Sequence, residues 1–379
     1  MPLERLLNRC VQLGASDLHI ASGLPPYFRV EGTLQPDGEF PALAAQQVEI
    51  WARQLAKVEV GSPLRETGDL DGAFTSLNGT RFRYNLYRRS GELNIALRRL
   101  DDHFRTLREL GLPESLTRLC HQRYGLVIVA GPTGSGKSTT LATLIDTINR
   151  HRQCHIVTIE DPVEYLHTSQ RALVNQRQLG LDASTFADAL VAAMRQDPDV
   201  ILVGEIRDLA TIRTAITAAE TGHLVFTTVH AGDCVGAIER IVSVFPAGEQ
   251  EGVRRQLSLV LRAIIAQHLL IADGPAEASV LAAGEGRGPE PFRRVLAAEV
   301  LVANSAVANL IASAKSNLIY SVIESGGASG MQTIEQSLAE LHSKGAISPE
   351  TVAALSRQPS QVFERSAKLQ KKRGAVSTR

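Results

Sequence analysis

The chain has few cysteines, and their spacing excludes the sites that cysteines usually build. Its 379 residues include four, at Cys10, Cys120, Cys154 and Cys234, and none of them forms a C-x-x-C pair. The sequence therefore indicates neither a structural zinc site nor a disulfide framework, and a reducing cytoplasm is the expected compartment.

An excess of charge of one sign is also lacking. Forty basic residues balance forty acidic ones, so the formal net charge is zero. Proteins that bind nucleic acid through their overall charge carry a basic excess, and no stripe of basic and aromatic residues occurs in this sequence. A nucleic-acid translocase, and with it a nucleic-acid partner, is therefore disfavoured.

No apolar run approaches the roughly 18 residues that span a membrane. The segment Met1–Arg5 lacks the basic region and apolar core of a signal peptide. We expect a soluble, cytoplasmic protein without direct membrane insertion, whose membrane role, if any, depends on partners.

The pattern of residues 1–100 differs from that of the rest. Short strands, two amphipathic helices and a hairpin signal at Asn78-Gly79 predict a small α+β domain. After a polar linker at 101–112, a second domain is predicted at 113–365, and a basic, disordered tail at 366–379. In the second domain, nearly all-apolar strands alternate with helices, which is typical of a parallel sheet covered on both faces.

The end of the second domain is less regular. A helix is predicted at 247–270, and a loop rich in Gly, Ala, Pro and Glu at 272–291. A strand at 292–302 and further helices follow.

A glycine-rich loop stands between an apolar strand at 125–130 and a helix that starts at Ser138. It fits the phosphate-loop pattern G-x-x-x-x-G-K-[ST], in which backbone N–H groups face phosphate oxygens, lysine reaches the outer phosphates and the hydroxyl binds Mg²⁺. A chance glycine-rich turn is disfavoured by the preceding strand and by Lys137-Ser138 in register. The predicted nucleotide-binding residues are Gly131, Pro132, Thr133, Gly134, Ser135, Gly136, Lys137, Ser138 and Thr139.

Two acidic stretches end later strands. Glu160 begins the first, where paired carboxylates could position water or hold the hydration shell of a metal ion; the alternative is an acidic turn at Pro162. The second, 200–208, resembles a Walker B strand in which Gly204 replaces the usual Asp. Glu205 is then the Mg²⁺-side carboxylate and water activator, whereas Asp208 is the better candidate for a helix cap.

Histidine and arginine complete the candidate site. His230 follows the strand 223–229, where it could sense a γ-phosphate. His223 opens the same strand, and both a functional and a structural role are open for it. Arginines stabilise the charge of phosphoryl transfer, although each alone could be an ordinary surface residue. The arginines considered are Arg81, Arg83 and Arg98, which a neighbouring subunit of a ring could supply, and Arg240.

The order of these motifs resembles the secretion ATPase superfamily, and most closely its type IV pilus retraction ATPases. The similarity extends over roughly 3–363 and includes the motifs at 13–19, 131–140, 159–165, 197–208, 221–230 and 330–333. The four-cysteine zinc motif common in the assembly and type II secretion branch is missing, which favours the retraction branch.

The resemblance implies a PAS-like N-terminal domain, a RecA-like ATPase domain and a homohexamer with ATP and Mg²⁺ between the two domains. Hydrolysis would turn an inner-membrane platform protein at the base of the pilus, where the chain would be peripheral. Glu160, Glu205, His230 and Arg240 match functional positions of the family, and Arg81, Arg83 and Arg98 match its N-terminal arginines.

One departure leaves the cellular role open. Ala308 replaces the arginine of the Ala-Ile-Arg-Asn-Leu-Ile motif of retraction motors. This departure suggests an accessory paralogue that works beside another pilus ATPase, and an assembly or type II secretion ATPase is a further alternative. A nucleotide-gated scaffold with little turnover is an alternative from another class, which the intact Lys137, Glu160 and Glu205 disfavour.

Overall fold

In the computed structural model, the described strands form two separate sheets. The structure describes residues 2–30, 32–56, 68–100, 103–273 and 294–377. These residues divide into two compact units, the first within 1–103 plus 161–166, and the second within 104–160, 167–273 and 294–377. The interruption at 161–166 was not predicted, because a sequence pattern read along the chain does not reveal a short excursion between units.

The described part of the first unit is an antiparallel sheet with two α-helices. Its strands lie in the order β3-β2-β1-β6-β5-β4, and one apolar cluster joins both helices to the sheet around the fully buried Trp51, Phe28 and Phe82. The described elements are α1 (Leu3–Gln12), β1 (Asp17–Ala21), β2 (Tyr27–Val30), β3 (Thr33–Pro36), α2 (Ala45–Ala56), β4 (Asp69–Thr75), β5 (Arg81–Arg89) and β6 (Glu92–Arg99). The predicted α+β character agrees with this arrangement.

The second unit contains the predicted parallel sheet. Its described strands are β7 (Gly125–Ala130), β8 (His155–Glu160), β9 (Leu173–Gln178), β10 (Val200–Val203), β11 (Leu224–Val229), β12 (Leu261–Ile271) and β13 (Arg294–Val302). Their order is β13-β12-β7-β11-β10-β8-β9, and every pair is parallel except β12 with β13. The α/β fold class is thus confirmed.

The helices of the second unit follow the strands in the way that a parallel sheet requires. The described α-helices are α3 (Lys137–His151), α4 (Phe186–Ala193), α5 (Leu209–Glu220), α6 (Cys234–Ser243), α7 (Gln250–Val260), α8 (Ser305–Ala312), α9 (Ile319–Ser325), α10 (Ile334–Ser343), α11 (Pro349–Leu355) and α12 (Pro359–Ser377). None of the helices in the described part of the chain combines the length and the apolar character needed to cross a bilayer.

The predicted helix at 247–270 is wrong in its second half. Helix α7 ends at Val260, and β12 begins at the next residue. The run Leu261–Ile271 is apolar apart from Arg262, Gln267 and His268, and periodicity alone does not distinguish a buried strand from a buried helix in such a run. Pairing with β7 on one side and β13 on the other decides for the strand.

The C-terminal region also contains a predicted disordered tail and a predicted loop. The predicted disordered tail at 366–379 is helical through Ser377 as part of α12, where Val362 and Ser366 are buried. Most of the predicted loop at 272–291 lies outside the described residues.

Candidate active site

The phosphate loop connects β7 to α3 and folds around its own lysine. Gly131, Gly134 and Gly136 have φ values of +150°, +79° and +86°, a region that side chains other than glycine rarely adopt. Helix α3 starts directly at Lys137, so the loop ends at a helix N-terminus, where free N–H groups favour an anion. The Lys137 Nζ donates to the carbonyl oxygens of Gly131 and Pro132 at 3.0 and 2.9 Å.

The loop rests closely on the neighbouring strand β12. A Cβ at position 131 would come within 2.4 Å of Ser135 Oγ and 2.6 Å of the Gln267 carbonyl oxygen. The Gln267 side chain is buried and donates to Thr140 Oγ1 on α3 at 2.8 Å. Gln267 thus ties the strand beside the loop to the helix that follows it, a role that the sequence motif does not reveal.

Glu205 follows β10, which lies two strands away from β7 in the sheet. A Cβ on the preceding Gly204 would lie 3.3 Å from the Ile159 carbonyl oxygen and 3.5 Å from Glu160 Cα. The close approach of β8 at this point favours glycine in place of the usual Asp. Thr228 Oγ1 donates to the Gly204 carbonyl oxygen at 2.6 Å, which ties this turn to β11.

The acids after β10 have separate tasks. Asp208 accepts the Thr211 N–H at 2.8 Å and caps α5, as predicted. Burial raises the pKa of Asp208, but hydrogen bonds at the start of the helix, foremost those from Thr211, together lower it below its ordinary value. Glu205 makes an ion pair of 2.7 Å with Arg207, a residue to which the sequence argument gave no role. Its proximity in sequence to Glu205 was the available signal.

His230 directly follows β11, between the ends of β7 and β10. Its Nε2 atom lies 3.8 Å from Glu205 Oε2. Burial lowers the pKa of His230 most, and the positive charges of Lys137, Arg207 and Arg240 lower it further, against the opposing effect of Glu205. The structure therefore brings Lys137, Glu205 and His230 to one edge of the sheet, with the Arg240 charge nearby.

His223 lies at the opposite end of β11. Its Nδ1 atom contacts the Ala218 carbonyl oxygen at 2.9 Å, just before the strand begins. Because β11 runs parallel to β7, this end of the strand is remote from the phosphate loop. His223 thus has a local structural contact and is no part of the candidate site.

Glu160 ends β8, the strand next to β10. Its Oε1 atom accepts from Thr158 Oγ1 at 2.7 Å and from Gln176 Nε2 at 3.1 Å, so the carboxylate has a fixed orientation. Asp161 and Pro162, in contrast, belong to the first unit. The predicted pair of carboxylates in this stretch is therefore divided between the two units.

The three N-terminal arginines lie in the first unit, and their nucleotide contacts stay a prediction. Arg81 donates from Nε and Nη2 to the Val163 carbonyl oxygen at 3.0 and 2.9 Å. Arg83 Nη1 is 4.0 Å from a Glu164 carboxylate oxygen, and Arg98 donates to Asp17 at 2.8 Å.

The residues of the loop fit a nucleotide phosphate. The packing around Gly131 leaves no room for a side chain, the positive φ values of Gly134 and Gly136 disfavour one, and Ser135 Oγ is buried without a hydrogen-bond partner in the described part of the chain. Ser138 is exposed in the first turn of α3 and Glu205 is partly exposed, so oxygen ligands of the kind that Mg²⁺ prefers are present at the same edge.

The chain is similar to proteins of known type over nearly its whole length. The family model for "Type II/IV secretion system protein" matches residues 2–352. The type IV pilus retraction ATPase PilT of Pseudomonas aeruginosa is 40% identical over 95% of this chain and 99% of its own length. A twitching motility protein of Neisseria gonorrhoeae is 42% identical over 92% of this chain and 88% of its own.

A solved structure supports the same relationship. The crystal structure of the pilus retraction motor PilT with bound ADP superposes with a TM-score of 0.84 at 40% identity, covering 95% of this chain and 98% of that one. The similarity to pilus retraction ATPases that the motifs indicated is thereby confirmed.

Proposed function

Since the chain belongs to the type II/IV secretion system protein family, we propose that it is an ATP-hydrolysing motor that powers type IV pilus retraction and twitching motility. One observation carries the enzymatic part: Lys137, Glu205 and His230 meet at the edge of the sheet where the phosphate loop lies. The cellular part is supported by the names of two similar proteins, which match 95% and 92% of this chain.

The residues of the site divide the work of hydrolysis. The amides from Gly131 to Thr139 hold the phosphates, and Lys137 leaves its carbonyl partners to neutralise the outer ones. Mg²⁺ bound with ATP would supply further charge neutralisation, held by Ser138 and, partly through water, by Glu205. Glu205 orients the attacking water, Glu160 supports it, and His230 contacts the terminal phosphate as a neutral imidazole.

The remaining charge is supplied by arginine. Arg240 lies on α6, close enough to affect the charge state of His230, and stabilises the developing charge on the phosphoryl group. Arg81, Arg83 and Arg98 act on nucleotide from a neighbouring domain or subunit of a homohexamer. The motor works in the cytoplasm at the inner-membrane base of the pilus, on a platform protein.

Ala308 favours a second candidate within the same class. It lies half-buried on α8, between the buried Val307 and the exposed Asn309, where retraction motors carry an arginine. An accessory motor that works beside a paralogous pilus ATPase would tolerate the loss of that cation.

Deletion of the gene in its host tests the proposal. A principal retraction motor leaves the deleted cells hyperpiliated and unable to twitch, whereas bald cells would contradict retraction and indicate assembly. Hyperpiliated cells that still twitch would indicate the accessory role. Complementation with the Ala308→Arg chain, compared with the unaltered chain, then tests that residue: increased twitching is expected if Ala308 limits the motor.

A further inference from the structure

Three side chains from distant parts of the second unit contact the short connection between His230 and helix α6. His268 Nε2 donates to the Gly232 carbonyl oxygen at 2.8 Å, and Glu299 Oε1 accepts the Cys234 N–H at 2.9 Å. Arg357 makes an ion pair with Asp233. The three come from β12, β13 and the link between α11 and α12, so separate parts of the second unit converge on residues 231–234.

Glu299 is the most unusual of the three. It is 2% exposed on β13, and burial raises its pKa while the Cys234 N–H opposes that effect. A buried carboxyl group is costly unless its contacts compensate for lost water, and here it meets the N–H groups at the start of α6, where the helix dipole favours negative charge. Its second oxygen has no hydrogen-bond partner among the described residues.

Asp233 and Arg357 form a second anchor on the same connection. Asp233 Oδ1 accepts the Gly236 N–H at 2.6 Å and thereby caps α6, while the other oxygen faces Arg357. Arg357 is itself fixed, because its guanidinium lies 5.3 Å from the centre of the Tyr320 ring and its backbone N–H donates to Glu335 at 3.3 Å. The C-terminal helices are thereby connected to the segment that follows His230.

We propose that His268, Glu299 and Arg357 are positioning residues that keep His230 beside Glu205 by fixing the connection 231–234. None of them touches the reacting atoms. Their effect is preorganisation, because a catalytic group that is already in place loses little entropy when substrate binds. The inference rests on the proposed function, since it assumes that His230 acts in ATP hydrolysis.

Amide hydrogen exchange tests the anchoring in nucleotide-free protein, without reference to activity. Glu299→Leu removes the oxygen that accepts the Cys234 N–H while keeping a side chain of similar size. Glu299→Gln keeps an oxygen that can accept this N–H. Exchange in 231–236 should become about tenfold faster in Glu299→Leu and stay near the unaltered rate in Glu299→Gln. Glu239→Leu is the control. Glu239 lies on α6, as the connection's last residue does, but away from 231–234, and its replacement removes an ion pair with Arg254 of α7.

Steady-state kinetics test whether the anchoring serves His230. We expect kcat for ATP hydrolysis to fall about tenfold or more in Glu299→Leu, with KM for ATP within about twofold because the phosphate loop is untouched. Arg357→Gln, in a more exposed ion pair, provides the same test if Glu299→Leu does not fold, and Arg357→Lys should restore much of the rate.

The possible results separate the two proposals. Unchanged exchange in both Glu299→Leu and Arg357→Gln would overturn the positioning role, as would faster exchange with unchanged kcat. Absence of ATP turnover in the unaltered protein would instead overturn the proposed function, and the exchange rates would still report whether the connection is held.

Discussion

The Nε2 atom of His230 lies 3.8 Å from Oε2 of Glu205. The two residues are 25 positions apart in sequence and meet because β10 and β11 are adjacent and parallel, with register pairs from Val200–Leu224 to Val203–Thr227. Each residue follows the carboxyl end of its strand, the side of a parallel sheet where ligands bind. The contact therefore defines the centre of the candidate site.

The charge state of His230 should depend on Lys137. Burial and the Lys137 charge both lower the pKa of His230, so removing that charge in Lys137→Ala should raise it. The measurement is an NMR titration of the imidazole in protein free of nucleotide and metal, with the resonance assigned through His230→Gln. An unchanged or lower pKa of His230 in Lys137→Ala would contradict this effect of the Lys137 charge.

Gly131→Ala should strongly weaken nucleotide binding without unfolding the chain. The new Cβ would meet Ser135 Oγ at 2.4 Å and the Gln267 carbonyl oxygen at 2.6 Å, at a φ of +150°. The loop must shift, so we expect affinity for ATP, measured by calorimetry, to fall about a hundredfold or more.

Gly248→Ala is the control for that substitution. No atom lies within 4 Å of a Cβ at position 248, and its φ is not in the positive range, so affinity should stay unchanged. Full ATP affinity in Gly131→Ala would contradict the described packing of the loop on β12.

His167 should make the second unit less stable at acid pH. Burial lowers the pKa of His167 to about 4, and the ring stacks on Phe104 with 4.6 Å between centroids. Because the unfolded state binds the proton more readily, stability is full above the ordinary pKa of 6.5 and falls as pH decreases towards 4. The loss is on the order of 3 kcal/mol.

Urea unfolding between pH 7 and pH 4 measures this effect. His167→Leu carries no titrating group at this position, so its free energy of unfolding should depend less on pH over the same interval. If the free energy of unfolding depends on pH equally in the unaltered protein and in His167→Leu, the acid sensitivity belongs to other groups.

The motifs predicted the centre of the site because the apolar strands, the phosphate loop and the acidic residue after β10 are each recognisable from a short stretch of sequence. The phosphate loop at 131–138 and the acid at Glu205 are recognisable from a few consecutive residues, and the parallel order of strands then brings them together. The pairing partner of a strand is not encoded locally in this way, which is why the apolar run at 261–271 was assigned to a helix.

The residues that support the site were not predicted for the same reason. Gln267, His268 and Glu299 lie on β12 and β13, far along the chain from the groups that they contact. Glu299 stands in an apolar strand, where a single acid is the available signal. Its partner, the Cys234 N–H, lies 65 positions away in sequence, so no local pattern connects the two.

Turnover and binding of ATP by Glu205→Ala test the central claim most directly. Glu205 lies outside the phosphate loop and pairs with Arg207 at the surface of the site. The account predicts that the variant binds ATP with nearly unaltered affinity and loses hydrolysis by about a hundredfold or more. Hydrolysis at the unaltered rate in Glu205→Ala would contradict the account.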